Sequence, residues 1–175
     1  MPSYTRRWRK ILDSPHLPRP YGSSRRRRSL TIDFHGPRCT CGKLGCIEAL
    51  ASGPAIARRA AEKIAAGRQS ALAELAGGHL AALTGEMVGR AYAAGDFLAK
   101  EILEETAMFV AVWLGNVLDL VEPDAVIIGG GAASLLQPFF AEIRHSVNPR
   151  VNEIPLLPVH YGAAALCLES GGDNS

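Results

Sequence analysis

Three cysteines stand within eight residues in HGPRCTCGKLGC, which runs from His35 to Cys46. A glutamate, Glu48, follows two positions after the last of them. Gly42 and Gly45 let the backbone turn sharply enough to aim successive sulfurs at one centre. Three thiolates brought together repel one another and react unless a cation neutralises them. Zinc takes four nitrogen or sulfur ligands in a tetrahedral array, and closed structural sites are commonly built from three cysteines and a histidine. The spacing admits a zinc loop over residues 35–48. It also admits three free or buried thiols, with Cys167 a small buried residue on the last helix.

A second group with chemical potential is Gly129–Gly131 in PDAVIIGGGAA. Ala125–Ile128 is a short apolar, β-branched run, which fits a buried strand ending in a tight turn. Backbone amides without a Cβ can approach a nucleotide closely, and a helix start favours its phosphates. Any tight strand-to-helix turn could use the same residues, so the glycines alone do not decide between the two.

The elements that must position these groups are mostly helices. Ser52, with Pro54 two residues on, reads as an N-cap followed by a first-turn proline. Ile56, Ala60, Ile64 and Ala65 then recur at helical spacing until Gly67. A short helix is expected over Ala71–Ala76, and another from its cap Thr84 to Gly95. From the N-cap Asp96 a helical pattern runs to about Leu120, with Phe97, Ile102, Leu103, Ala107, Val110, Leu114, Val117 and Leu118 as its buried stripe. It ends before Pro123, where the residue preceding a proline disfavours helix. A single helix over Ala133–Ser146, a second strand at Ile154–Val159 and a closing helix at Gly162–Glu169 complete the order. Helix, strand, glycine turn, helix, strand and helix make an α/β arrangement with a mostly parallel sheet.

Apolar residues form 47% of the 175-residue chain and charged ones 21%, the balance of an ordinary globular protein. No apolar run approaches the roughly 20 residues needed to span a membrane. The N-terminus lacks an apolar secretory core, so a cytoplasmic, reducing compartment is expected. Residues 1–30 hold nine Lys/Arg against the single acid Asp13, while the remainder holds ten bases and sixteen acids. The arginine run Arg25–Arg28 could grip phosphates. No recognisable nucleic-acid fold follows it, and residues 1–29 read as a solvated, disordered segment.

The stretch CTCGKLGCIEALASG resembles the signature of the ROK family of bacterial-type sugar kinases and their relatives, GH-x(9)-C-x-C-G-x-x-G-C-x-E-x-x-x-S-G. EMVGRAYAAGDFLAKEIL, LGNVLDLVEPDAVIIGGG and HYGAAAL are similar to later parts of the same family, so the resemblance covers about residues 30–169. It implies an α/β, helix-rich, partial actin/hexokinase-type (ribonuclease H-like) lobe over residues 30–170 with a zinc-loop insertion, and a tail at 171–175. It further implies a structural zinc on Cys39, Cys41 and Cys46, with the family histidine as fourth ligand. That place, ten residues before Cys39, holds Ser29. His35 or a water is the substitute expected. The resemblance also implies that Glu48 contacts hydroxyls of a hexose or N-acetylhexosamine, that Gly129, Gly130 and Gly131 line a pocket for ATP with Mg²⁺, and that copies pair as a homo-dimer. Read without the family, Glu48 is a first-turn glutamate favoured by the helix dipole.

The family's first phosphate loop, of Asp-x-Gly-x-Thr type, and its catalytic aspartate in an Asn-Asp segment find no match in this sequence. None of the six aspartates, Asp13, Asp33, Asp96, Asp119, Asp124 and Asp173, sits in such a context. The expectation is the C-terminal lobe of a sugar kinase, inactive alone, with residues 1–29 an out-of-frame reading of upstream sequence. The alternative is the same lobe of a ROK-type sugar-responsive repressor, although no helix–turn–helix pattern precedes residue 30.

Overall fold

The computed structural model describes residues 29–121, 126–147 and 156–159. Its elements in chain order are α1 (Ile47–Ala51), α2 (Gly53–Ala65), α3 (Leu72–Leu75), α4 (Gly85–Ala93), α5 (Phe97–Val121), β1 (Val126–Gly129), α6 (Ala133–Leu136), α7 (Phe140–Val147) and β2 (Leu156–Val159). All but Ser29 of the expected segment 1–29, the closing helix 162–169 and the tail 171–175 lie outside the described residues.

The long helix α5 organises the rest. Asp96 caps it, since its Oδ1 accepts from the Ala99 N–H at 2.8 Å. The other oxygen, Oδ2, accepts from the Ala71 N–H at 2.8 Å and the Ser70 hydroxyl at 2.9 Å, so one carboxylate fixes the starts of both α5 and α3. Ten residues of α5 are buried, among them Leu98, Ile102, Leu103, Val110 and Leu114. Each buried leucine or isoleucine contributes on the order of 1.5–3 kcal/mol relative to exposure. Six of the eight residues expected in the stripe, Ile102, Leu103, Ala107, Val110, Leu114 and Leu118, are buried. Phe97 is 87% exposed, because Leu98 and Ala99 take the inward direction, and Val117 is only half-buried. Helices α1, α2, α4, α6 and α7 all pack on this stripe.

Polar pairs lock α2 against α5. Arg59 is almost fully buried on α2, donates to Glu105 at 2.9 Å and to the Thr106 hydroxyl, and lies 5.3 Å over the Phe109 ring. Burial pushes its guanidinium down, and Glu105 counters that. Lys63 bridges Glu101 at 2.6 Å and Glu105 at 2.7 Å, while Arg68 reaches Glu101 at 2.7 Å.

Strands β1 and β2 pair in parallel, Val126 opposite Leu156 and Gly129 opposite Val159. The crossover between them contains α6 and α7 but not the single helix expected over 133–146. Pro138 lacks an N–H and its ring would strike the carbonyl four residues back, so Gln137–Phe139 tighten into a 3₁₀ turn between two shorter helices. No helix among the described residues is long and apolar enough to cross a membrane.

The ion pairs carry a pH signature. Hydrogen bonds from Arg68 and Lys63 hold the Glu101 carboxyl down at about 2, against 4.5 ordinarily. A carboxyl depressed in the folded chain stabilises it above the ordinary value, and that contribution is lost as pH falls toward the folded one. The Glu101 side chain is 36% exposed, so screening reduces the expected contribution to about 1 kcal/mol. Urea unfolding midpoints should fall between pH 4.5 and 2, and Glu101→Gln should flatten part of that fall.

Candidate functional site

The segment 30–46 folds back on itself largely through backbone bonds. Asp33 and Ile32 N–H groups both donate to the Gly45 carbonyl, at 3.2 and 2.9 Å, and Gly45 N–H donates to Pro37 O at 2.9 Å. Cys39 N–H reaches Lys43 O at 2.8 Å and closes the turn that holds Cys41, while Ile47 N–H reaches Leu30 O at 2.9 Å and brings α1 alongside. Gly45 sits at φ +56°, and a Cβ there would lie 1.4 Å from the Asp33 carbonyl oxygen. No side chain fits that position.

The fold brings the three sulfurs together. The Sγ atoms of Cys39, Cys41 and Cys46 all lie within 4.8 Å of one another. Cys41 and Cys46 are 3.5 Å apart, close to the about 3.8 Å that two thiolates subtend in a tetrahedral zinc site with 2.3 Å bonds. Cys39 is 5% and Cys46 0% exposed, whereas Cys41 is half-buried. The Lys43 backbone N–H lowers the Cys41 thiol, while burial raises that of Cys46. Three of the four donors of a closed zinc site are therefore present in suitable geometry. The fourth is not: among the described residues no His, Asp, Glu or further Cys joins the group. His35 is exposed in the preceding turn and its backbone N–H donates to Asp33 Oδ1 at 2.9 Å. Ser29 does stand at the cluster, its carbonyl 3.9 Å from Cys46 Sγ.

Glu48 lies in the first turn of α1, directly after the loop. It is exposed, its N–H donates to the Ser29 hydroxyl at 3.5 Å, and its residue lines a cleft of about 720 Å³. Gly129, Gly130 and Gly131 line the same cleft from the end of β1, and Val110 and Trp113 of α5 line it too. Only Gly130 needs its glycine for conformation, at φ +105°. A Cβ on Gly131 would meet no atom within 4 Å, so packing does not demand a glycine there, and its backbone is left bare toward the cleft. The helix after the turn, α6, has only four residues, too short to supply the dipole expected for phosphates. An apolar floor from Trp113 and a second hollow of about 560 Å³ on the other side of Glu48, walled by Arg38 and Arg58, were not foreseen. The i, i+3 spacing of Val110 and Trp113 on α5 was the available signal for the floor.

Because Gly45 has no room for a methyl group, Gly45→Ala should destabilise the loop by more than about 2 kcal/mol. Mass-spectrometric footprinting with an alkylating reagent checks this. In the wild type Cys41 should react well before Cys39 and Cys46, and in the variant all three should react at similar rates.

The geometry can be set beside known proteins. The ROK family profile matches residues 29–171. A glucokinase of Halalkalibacterium halodurans is 32% identical over 120 residues, which is 66% of this chain and 36% of the relative. The crystal structure of a ROK family glucokinase from Streptomyces griseus in complex with glucose and AMPPNP superposes with a TM-score of 0.63 at 27% identity, covering 74% of this chain and 44% of that one. A ROK family transcriptional regulator, homolog of the E. coli MLC protein, superposes with a TM-score of 0.61 at 30% identity, covering 74% and 33%. This chain thus spans less than half the length of each. The protein belongs to the ROK family, whose sugar kinases share this helix-rich lobe.

Proposed function

We propose that this lobe binds a hexose-type sugar at Glu48 and the phosphates of ATP at the Gly129–Gly131 turn, as part of a carbohydrate kinase fold. Zinc on Cys39, Cys41 and Cys46 would brace the loop that delivers Glu48, neutralising the thiolates and taking no part in the chemistry. What supports this reading most is the shared cleft: Glu48 and the glycine turn line one space. Phosphoryl transfer is chiefly a matter of positioning, so acceptor hydroxyl and phosphate donor must meet in such a space.

Each wall has the chemistry for its ligand. An ionised carboxylate offers two acceptor oxygens to neighbouring sugar hydroxyls, and charge-assisted bonds of this kind are the strong ones. Trp113 and Val110 offer an apolar floor beneath a sugar ring or the nucleotide. The bare amide of Gly131 can approach a phosphate without a side chain in the way. No carboxylate of this chain matches the family base that takes the hydroxyl proton. The reading therefore has the chain bind both ligands without transferring phosphate alone.

The likeness to a transcriptional regulator supports a second reading, in which the same sugar contact serves sensing. Both readings share Glu48 and differ in whether nucleotide binds.

Isothermal titration with glucose and N-acetylmannosamine tests the sugar wall. Glu48→Gln should weaken binding by at least about tenfold, and an unchanged affinity would remove Glu48 from the site. Gly131→Val should weaken AMPPNP binding while leaving the unfolding midpoint within a few degrees of wild type. Binding of sugar with no AMPPNP response in the wild type would favour the sensor. In a coupled ADP-release assay the chain should show no turnover, and clear ATP-dependent phosphorylation would overturn that part of the reading.

A further inference from the structure

The sulfur cluster offers three of the four donors of a closed site. Ser29 lies beside it, its carbonyl accepting from the Cys46 thiol at 3.9 Å. The carbonyl accepts a hydrogen bond from the Lys43 ammonium, and the Ser29 hydroxyl accepts one from the Glu48 N–H at 3.5 Å. Both oxygens of Ser29 are thus engaged, and a neutral hydroxyl is not among the donors that hold zinc well. Among the described residues no other His, Cys, Asp or Glu reaches the three sulfurs.

Two further features describe what the fourth corner could accept. The cluster is dry on the side of Cys39 and Cys46, but Cys41 and Ser29 are only half-buried and Lys43 is exposed. A solvent path therefore leads to the corner. Charge is the second feature. A divalent ion on three thiolates carries a net single negative charge, and a further anion would be disfavoured there were no cation adjacent. The Lys43 ammonium at the Ser29 carbonyl is that cation. Metal sites with three protein ligands keep a water at the fourth position, and a centre already built of thiolates favours another soft donor over oxygen.

We propose that the metal centre of this chain is an open one, whose exchangeable fourth position beside Ser29 takes the sulfur of a low-molecular-weight thiol. This rests on the reading that Cys39, Cys41 and Cys46 hold a metal. The step is a ligand exchange. The thiol gives its proton to solvent, its sulfur lone pair forms the bond to the metal, and a water leaves; nothing is oxidised or reduced. Because the Ser29 hydroxyl also holds the Glu48 N–H, a ligand in this corner abuts the backbone that carries the cleft carboxylate.

Cobalt(II) loaded into the full chain, purified with a phosphine reductant and no thiol, reads the coordination directly. The expected starting spectrum is that of three sulfurs and one oxygen. Titration with β-mercaptoethanol should then move the visible bands to longer wavelength, saturably, and raise the sulfur-to-metal charge-transfer intensity by about a third, as one sulfur joins three. Ser29→His should fill the corner with imidazole and weaken the thiol response at least tenfold. Lys43→Gln should weaken it several-fold with cobalt still bound, which tests the corner even if the histidine variant does not fold. A four-sulfur or imidazole-containing spectrum before any thiol is added would overturn the proposal, because the chain itself then closes the site. So would a cobalt spectrum indifferent to thiol, or a Ser29→His variant that responds like the wild type. Absence of any charge-transfer band would remove the metal reading, and this proposal with it.

Discussion

The loop of residues 30–46 has sulfur where a folded segment usually has hydrocarbon. Three of its four large apolar side chains point outward, Phe34 at 85% exposure with Leu30 and Leu44 exposed as well, and Ile32 is only half-buried. The buried side chains that turn inward are those of Cys39 and Cys46. A segment of this size cannot offset the entropy of ordering its backbone through a handful of backbone bonds, so the convergence of three sulfurs is the constraint it depends on. With a cation at their centre the thiolates attract a common partner; without one they repel and compete for protons.

From this knot the rest of the candidate site follows by rigid connection. The Ile47 N–H to Leu30 carbonyl bond ties the loop's entry to the start of α1, and Glu48 is the next residue. Ser52 ends α1 and caps α2, its hydroxyl accepting from the Ala55 N–H at 3.4 Å, so two helices meet at one serine. Helix α2 is then fastened to α5 by Arg59 and Lys63, and α5 supplies Val110 and Trp113 to the cleft that the glycine turn lines. The Glu48 wall of the cleft and the α5 residues that line it are thus carried by one helical body, while the glycine turn comes from the end of β1. A site on such elements holds its geometry better than one on loops.

Much of this was readable before any coordinates. The cysteines, their intervening glycines and Glu48 form a motif whose spacing is set by coordination chemistry and backbone conformation, both local. The caps Ser52, Thr84 and Asp96 were legible for the same reason, since a cap needs only its own first turn. What the pattern missed was the first residue of α5, since the rest of its stripe, from Ile102 to Leu118, is buried apart from the half-buried Val117. Helix α5 is apolar on several sides, with Met108, Val112 and Leu120 exposed, so periodicity alone could not say that Phe97 faces out. Arg59 was equally invisible: in an alanine-rich stretch an arginine reads as solvent-facing, and only the later Glu105, Thr106 and Phe109 make its burial tolerable. Pro138 falls past the first turn of the single helix expected over 133–146, and a proline is harmless only within that turn. The sharing of one cleft by Glu48 and Gly131 is a tertiary fact, beyond reach of any local pattern.

Zinc K-edge X-ray absorption on the purified chain asks most directly whether the sulfurs of 39, 41 and 46 bind one ion. Near one equivalent of zinc is expected, with three sulfur neighbours at about 2.3 Å and a single lighter or exchangeable fourth ligand. A protein that retains no zinc, or zinc surrounded only by oxygen and nitrogen, would contradict it.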